Sequence, residues 1–126
     1  MIRGLRDIYV NVSDMRRSIA FYRDILGIPV SSETTYWTSL DLYSLRLGLH
    51  WTGGTAVPSI PADEHGPFSG ATITFEVPEM DKFVEHLKQS GVSVGPILTY
   101  DWGRIVTLAD PDGNILKALE PVPARD

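Results

Sequence analysis

The chain has no cysteine. That excludes disulfides, thiolate metal sites and cysteine nucleophiles. No apolar run reaches membrane-spanning length, so no membrane partner is expected. The opening Met1-Ile2-Arg3-Gly4-Leu5-Arg6-Asp7 lacks the apolar stretch of a signal peptide, and the expected compartment is the cytoplasm. Positive charge is scarce: 11 Lys and Arg stand against 16 Asp and Glu, a net charge of −5. A general nucleic-acid binder needs a basic face, so nucleic acid is not an expected partner. There is no phosphate-cradling glycine loop, no G-x-S-x-G and no visible nucleophile–base pair. What remains is a chain of 126 residues, 43% hydrophobic, long enough for one domain with a real core.

The most informative positive feature is an internal repeat. Ile8-Tyr9-Val10-Asn11-Val12-Ser13-Asp14-Met15 is echoed by Ile73-Thr74-Phe75-Glu76-Val77-Pro78-Glu79-Met80. A helical pattern follows each copy, and then a glycine: Gly27-Ile28-Pro29-Val30 and Gly91-Val92-Ser93-Val94. A duplicated strand–helix–strand unit predicts two similar half-sheets that enclose a cleft for a small molecule.

Local patterns fill in the elements. Ile8, Val10 and Val12 alternate with Asp7, Tyr9 and Asn11, as in a half-buried strand. Ser13 or Asp14 caps a helix whose stripe is Met15, Ile19, Tyr22 and Leu26, with Gly27 placed to end it. Strands are expected near 28–33, 35–42 and 44–50; in the last, Leu45, Leu47 and Leu49 oppose Arg46, Gly48 and His50. Residues 52–69 carry Gly53, Gly54, Pro58, Pro61, Gly66 and Pro67, a linker or a lid. A second set follows: strand 71–77, a helix starting at Pro78 with the stripe Met80, Phe83, Val84, Leu87, and strands near 93–98, 104–108 and 114–120. Asp110-Pro111-Asp112-Gly113-Asn114 is a hairpin-turn signal between the last two strands. The expected fold is α+β: two βαβββ modules with curved mixed sheets, in one domain over 1–126. Module one takes 1–51, the linker or lid 52–69 and module two 70–122.

Two segments carry a family resemblance. Val12-Ser13-Asp14, Ser18, Phe21-Tyr22 and Leu26-Gly27 are similar to the V-x-D-x-x-x-S-x-x-F-Y-x-x-x-L-G opening of the vicinal oxygen chelate superfamily. That superfamily holds glyoxalases, bleomycin-resistance proteins, fosfomycin-modifying thiol transferases and extradiol dioxygenases. The strand Gly103–Ala109 and the Asp110-Pro111-Asp112-Gly113-Asn114 that follows resemble its second signature. The resemblance implies helices on the convex side of the sheets, a cavity between two modules, and a homodimer.

It also implies where a metal would bind. Metal-dependent relatives place His or Glu at four strand positions, which match Asp7, Arg46, Thr72 and Lys117 here. Protonated Lys and Arg have no electron pair to give. A divalent cation about 4 Å from one of them meets repulsion of roughly 8 kcal/mol at an effective dielectric of 20. No metal and no other cofactor is therefore expected, and Asp7 should pair with Arg46 or Lys117. His50 shares the Arg46 face, with Gly48 leaving room for a guest. It is a candidate base, a hydrogen-bonding group or, with Glu76, an off-pattern metal ligand. Trp37, Trp51 and Trp102, with Tyr9, Tyr36 and Tyr100 near them in sequence, are candidate walls for a flat ligand. His86 is expected in solvent, and His65 has no assigned role.

The expected function is metal-independent binding of a small organic molecule, planar or anionic, in a sequestration or resistance role. The ligand-binding candidates are Asp7, Tyr9, Trp37, Arg46, His50, Trp51, Thr72, Glu76, Trp102 and Lys117. The alternative is a lyase or isomerase of glyoxalase type, with an off-pattern metal or with His50 as its base.

Overall fold

The computed structural model describes residues 1–43, 45–58, 62–63, 66–67 and 70–123. Parts of the expected linker or lid, His65 among them, lie outside the described residues. The chain divides into two compact units, Met1–Pro58 and Ser59–Asp126.

In the first unit, β1 (Ile8–Val12) leads to α1 (Met15–Ile19), whose π-helical continuation spans Ala20–Ile25. Then come β2 (Val30–Glu33), β3 (Trp37–Leu42) and β4 (Leu45–Trp51). The sheet order is β1-β4-β3-β2, with β1 parallel to β4 and the other pairs antiparallel. Asp14 is the cap that the sequence left open between two residues: its Oδ1 accepts the Arg17 N–H at 3.1 Å. The helix departs from the expected α geometry at Ala20, where the turn widens and the Leu26 N–H reaches the Phe21 carbonyl at 2.9 Å. Both Phe21 and Tyr22 are buried there, packed edge to face at 5.0 Å. Gly27 then takes φ +78°, a value that favours glycine, and ends the helix as expected.

In the second unit, β5 (Ala62–Asp63) pairs antiparallel with β6 (Gly66–Pro67). The repeat follows: β7 (Ile73–Glu76), α2 (Met80–Gln89), β8 (Leu98–Tyr100), β9 (Gly103–Ala109) and β10 (Ile115–Pro121). The order β7-β10-β9-β8 repeats that of the first sheet, with β7 parallel to β10. The fold is thus α+β with two βαβββ modules. The strand expected at 93–98 forms later, at Leu98–Tyr100; Val94 makes only an isolated bridge to Leu108. Pro96 has no N–H to give a ladder, which accounts for the delay. Pro78 precedes α2 without entering it, and Glu79 is the N-cap residue.

Each sheet buries one face under its own helix. In the first unit Val12, Leu40, Leu47 and Leu49 are buried there, and the Thr38 hydroxyl donates to Met15 Sδ at 3.3 Å. In the second, Val77, Met80, Val84, Val106 and Ala118 form the core, with Phe83, Val94 and Ile97 packed against it. At about 25 cal/mol per Å² of apolar area, such side chains each contribute roughly 1.5–3 kcal/mol on burial. The Asp110 turn is self-satisfied: Oδ1 accepts the N–H groups of Asp112 and Asn114 at 3.0 and 2.8 Å, and Oδ2 accepts Asn114 Nδ2 at 2.9 Å. The motif therefore shapes a turn and holds β9 and β10 in register.

Candidate functional site

Alternation in the strands sends a second set of side chains to the face away from each helix. In the first unit this face carries Tyr9 and Asn11 of β1, Trp37, Ser39 and Asp41 of β3, and Arg46, Gly48 and His50 of β4. Three rings gather on it. Tyr9 and Trp37 have centroids 5.3 Å apart, Tyr9 and His50 5.9 Å, and Trp37 and His50 6.4 Å. Trp37 Nε1 donates to Ser39 Oγ at 2.9 Å, which holds the indole over Gly48. His50 Nδ1 lies 3.1 Å from Asn11 Oδ1. An amide oxygen only accepts, so Nδ1 carries the proton and Nε2 of the neutral ring keeps its lone pair.

In the second unit the corresponding face carries Thr74 and Glu76 of β7, Ile105 and Thr107 of β9, and Lys117 of β10. Pro96, Leu98, Tyr100, Trp102, Ile105, Thr107 and Lys117 line a pocket of about 210 Å³. Tyr100 and Trp102 stack in parallel, 4.9 Å apart and inclined by 8°, and each residue is about half exposed (49% and 55%). Lys117 is half-buried and makes no ion pair among the described residues. An ammonium group between aromatic and aliphatic walls loses part of its hydration without gaining a counter-charge.

The structure regroups the candidates. Tyr9, Trp37 and His50 come together in one unit; Trp102 and Lys117 come together in the other. Trp51 does not join either group. It follows His50 in the strand, so it points to the helix side, where Nε1 donates to the Ser13 carbonyl at 3.1 Å and the ring meets Tyr36 at 5.4 Å. Asp7 lies just before β1 and pairs with its neighbour Arg6 at 3.7 Å, in place of the expected Arg46 or Lys117. Thr72 also lies outside its strand and is exposed; Thr74 is the residue in register with Lys117. Glu76 is exposed at the end of β7, and His86 is exposed on α2.

Register also corrects Arg46. Ile8 pairs with Leu47, and its repeat counterpart Ile73 pairs with Leu116. The residue that corresponds to Lys117 is therefore Gly48, not Arg46. Arg46 is exposed one pleat away, opposite Asp41. The positions thus offer one carboxylate (Asp7), a glycine, a hydroxyl (Thr72) and an ammonium (Lys117). Among the described residues no group of three or more His, Cys, Asp or Glu could hold a metal ion. The donor set does not fit a divalent metal.

Exposed carboxylates elsewhere are tuned by arginine. The hydrogen-bonded Arg104 guanidinium holds Asp81 below the usual carboxylate range, and Arg23 does the same to Asp24. The Arg104 pair ties β9 to α2 on the helix side of the sheet.

Comparison with known proteins agrees with this fold. Residues 4–117 match the model of the Glyoxalase/Bleomycin resistance protein/Dioxygenase superfamily, and the chain belongs to that superfamily. It is 34% identical over 98 residues to the metallothiol transferase FosB of Staphylococcus haemolyticus, covering 75% of this chain and 65% of that protein. It is 28% identical over 125 residues to the Bacillus subtilis protein YraH, covering 90% of this chain and 94% of the relative. Among solved structures, the fosfomycin resistance protein FosX of Listeria monocytogenes aligns with a TM-score of 0.75 at 19% identity, over 97% of this chain and 96% of that one. The antibiotic binding protein TnmS3 of Streptomyces aligns at 0.71 with 20% identity, over 96% and 98%. At such identities the structures establish the fold. No helix among the described residues is long and apolar enough to cross a membrane.

Proposed function

We propose that the protein binds small organic molecules without a metal, in a sequestration or resistance role, and that its preferred guests are planar and carry an anionic group. The observation behind this reading is Lys117: an ammonium without an ion pair among the described residues, in a pocket walled by Leu98, Tyr100, Trp102 and Ile105. An aromatic carboxylate satisfies both halves of such a site, its ring against the indole and its anion at the ammonium. FosX is a fosfomycin resistance protein and TnmS3 an antibiotic binding protein, which fits a guest-binding role on this scaffold.

Titration calorimetry with 2-naphthoate on chelator-treated protein tests the reading. A charge-assisted contact contributes about 1.5–3 kcal/mol, so Lys117→Ala should weaken binding by about ten-fold or more. Unchanged affinity would remove the basis for the proposal. A guest recovered chemically unaltered after prolonged incubation supports binding over catalysis. The geometry at His50 favours the second reading, a lyase or isomerase, because Asn11 leaves Nε2 as a proton acceptor. A His50→Gln variant that abolished turnover of a glyoxalase-type substrate would decide for it. We also infer a homodimer, on the grounds of the family; sedimentation should return twice the chain mass of 14.0 kDa.

A further inference from the structure

The position that corresponds to Lys117 in the first unit is a glycine in the middle of a strand, and the reason lies above it. A Cβ added to Gly48 would fall inside the indole of Trp37. Glycine in a strand interior is disfavoured, and its presence there marks a close approach by another group. The approaching group is held on purpose: Trp37 Nε1 is bonded to Ser39 Oγ, and the ring is flanked by Tyr9 and His50. Tyr9 remains 53% exposed, so the group presents an aromatic surface. At its edge His50 offers Nε2, because Nδ1 is committed to Asn11.

We infer that Gly48 and Trp37 are a specificity-determining pair that turns a side-chain position of the first unit into an aromatic platform for a flat guest bearing an N–H or O–H donor. The guest lies against the Trp37 indole, the Tyr9 ring inclined to it by 60° forms a side wall, and the donor reaches His50 Nε2. This deepens the binding function proposed above by naming a second subsite, but it depends on residues of the first unit alone. A side chain at position 48 and Trp37 in this pose exclude one another.

Calorimetry on the chelator-treated 126-residue chain distinguishes the two ideas. The probes are 2-naphthol, which has a ring and a donor but no charge at neutral pH, and 2-methoxynaphthalene, which has the ring alone. Wild type should bind 2-naphthol, and 2-methoxynaphthalene about five-fold more weakly, as one hydrogen bond implies. Gly48→Ala should lift the indole and weaken 2-naphthol about ten-fold or more; Trp37→Leu should do the same by removing it. Lys117→Ala should weaken 2-naphthoate about ten-fold and 2-naphthol far less, since 2-naphthol carries no charge for the ammonium to meet. If Gly48→Ala does not fold, Trp37→Leu decides alone, since it relieves the crowding over Gly48. Wild-type affinity for 2-naphthol in Trp37→Leu overturns the inference, as does no binding of 2-naphthol to wild type. Equal affinity for the two naphthalenes overturns the role of His50. Loss of the Lys117 effect on 2-naphthoate, with the 2-naphthol results intact, refutes only the parent reading.

Discussion

Removing the Glu120 side chain should loosen the second unit at the start of α2. The N-cap residue Glu79 makes no side-chain capping bond. The carboxylate comes instead from β10: Glu120 Oε2 accepts the Met80 N–H at 2.6 Å. Glu120 also lies 3.7 Å from Arg104, which holds Asp81 of the same helix through bonds of 2.9 and 3.1 Å. One side chain thus fastens helix to sheet, at the helix end where a negative charge is favoured. A charge-assisted bond of this kind contributes about 1.5–3 kcal/mol, and the lower half applies because Glu120 is 24% exposed. For a domain of this size each kcal/mol moves the melting temperature by about 3–6 °C, so Glu120→Ala should lower it by about 5–12 °C. Arg104→Ala should cost less, about 0.2–1 kcal/mol, because its partner Asp81 is 78% exposed. Circular dichroism melts of both variants, with hydrogen exchange at the Met80 amide, provide the assay. A melt of Glu120→Ala superimposable on wild type, or a larger loss for Arg104→Ala, would refute the claim that the strand carboxylate caps the helix.

Acid should weaken the fold through Asp81 and Asp24. Their folded pKa values are depressed by Arg104 and Arg23, so the stability they contribute is present above the unfolded carboxylate value, about 3.9, and is lost as pH falls through the lower folded values. Melts between pH 5 and 2 should show a shallower acid decline in Asp81→Asn than in wild type. Gly103→Ala should destabilise by about 1–3 kcal/mol, read from urea titration, because φ is +152° and a Cβ would lie 2.6 Å from the Glu120 carbonyl. Equimolar zinc or manganese added to chelator-treated protein should leave the melting temperature unchanged, whereas a resident metal site would raise it by mass action.

The fold was largely legible in the order of residues because periodicity is a local property. The repeat, the alternation in β1 and β4, the stripe of α2 and the Asp110 turn all act through neighbours a few positions apart, and each formed where expected. One local surprise has a local cause: Pro96 delays β8. Alternation also foretold that Arg46, Gly48 and His50 share a face.

The sequence by itself determined the module, its duplication, and the poor supply of electron pairs at the family's metal positions. Only the tertiary structure decided which residues meet. Register between strands distant in the chain put Gly48 where Arg46 was expected. The strand pleat turned Trp51 to the helix side while keeping Trp37 beside Tyr9 and His50. The physical reason is twofold: a one-residue step along a strand turns a side chain to the opposite face, and pairing across the sheet decides which residues of one face lie side by side.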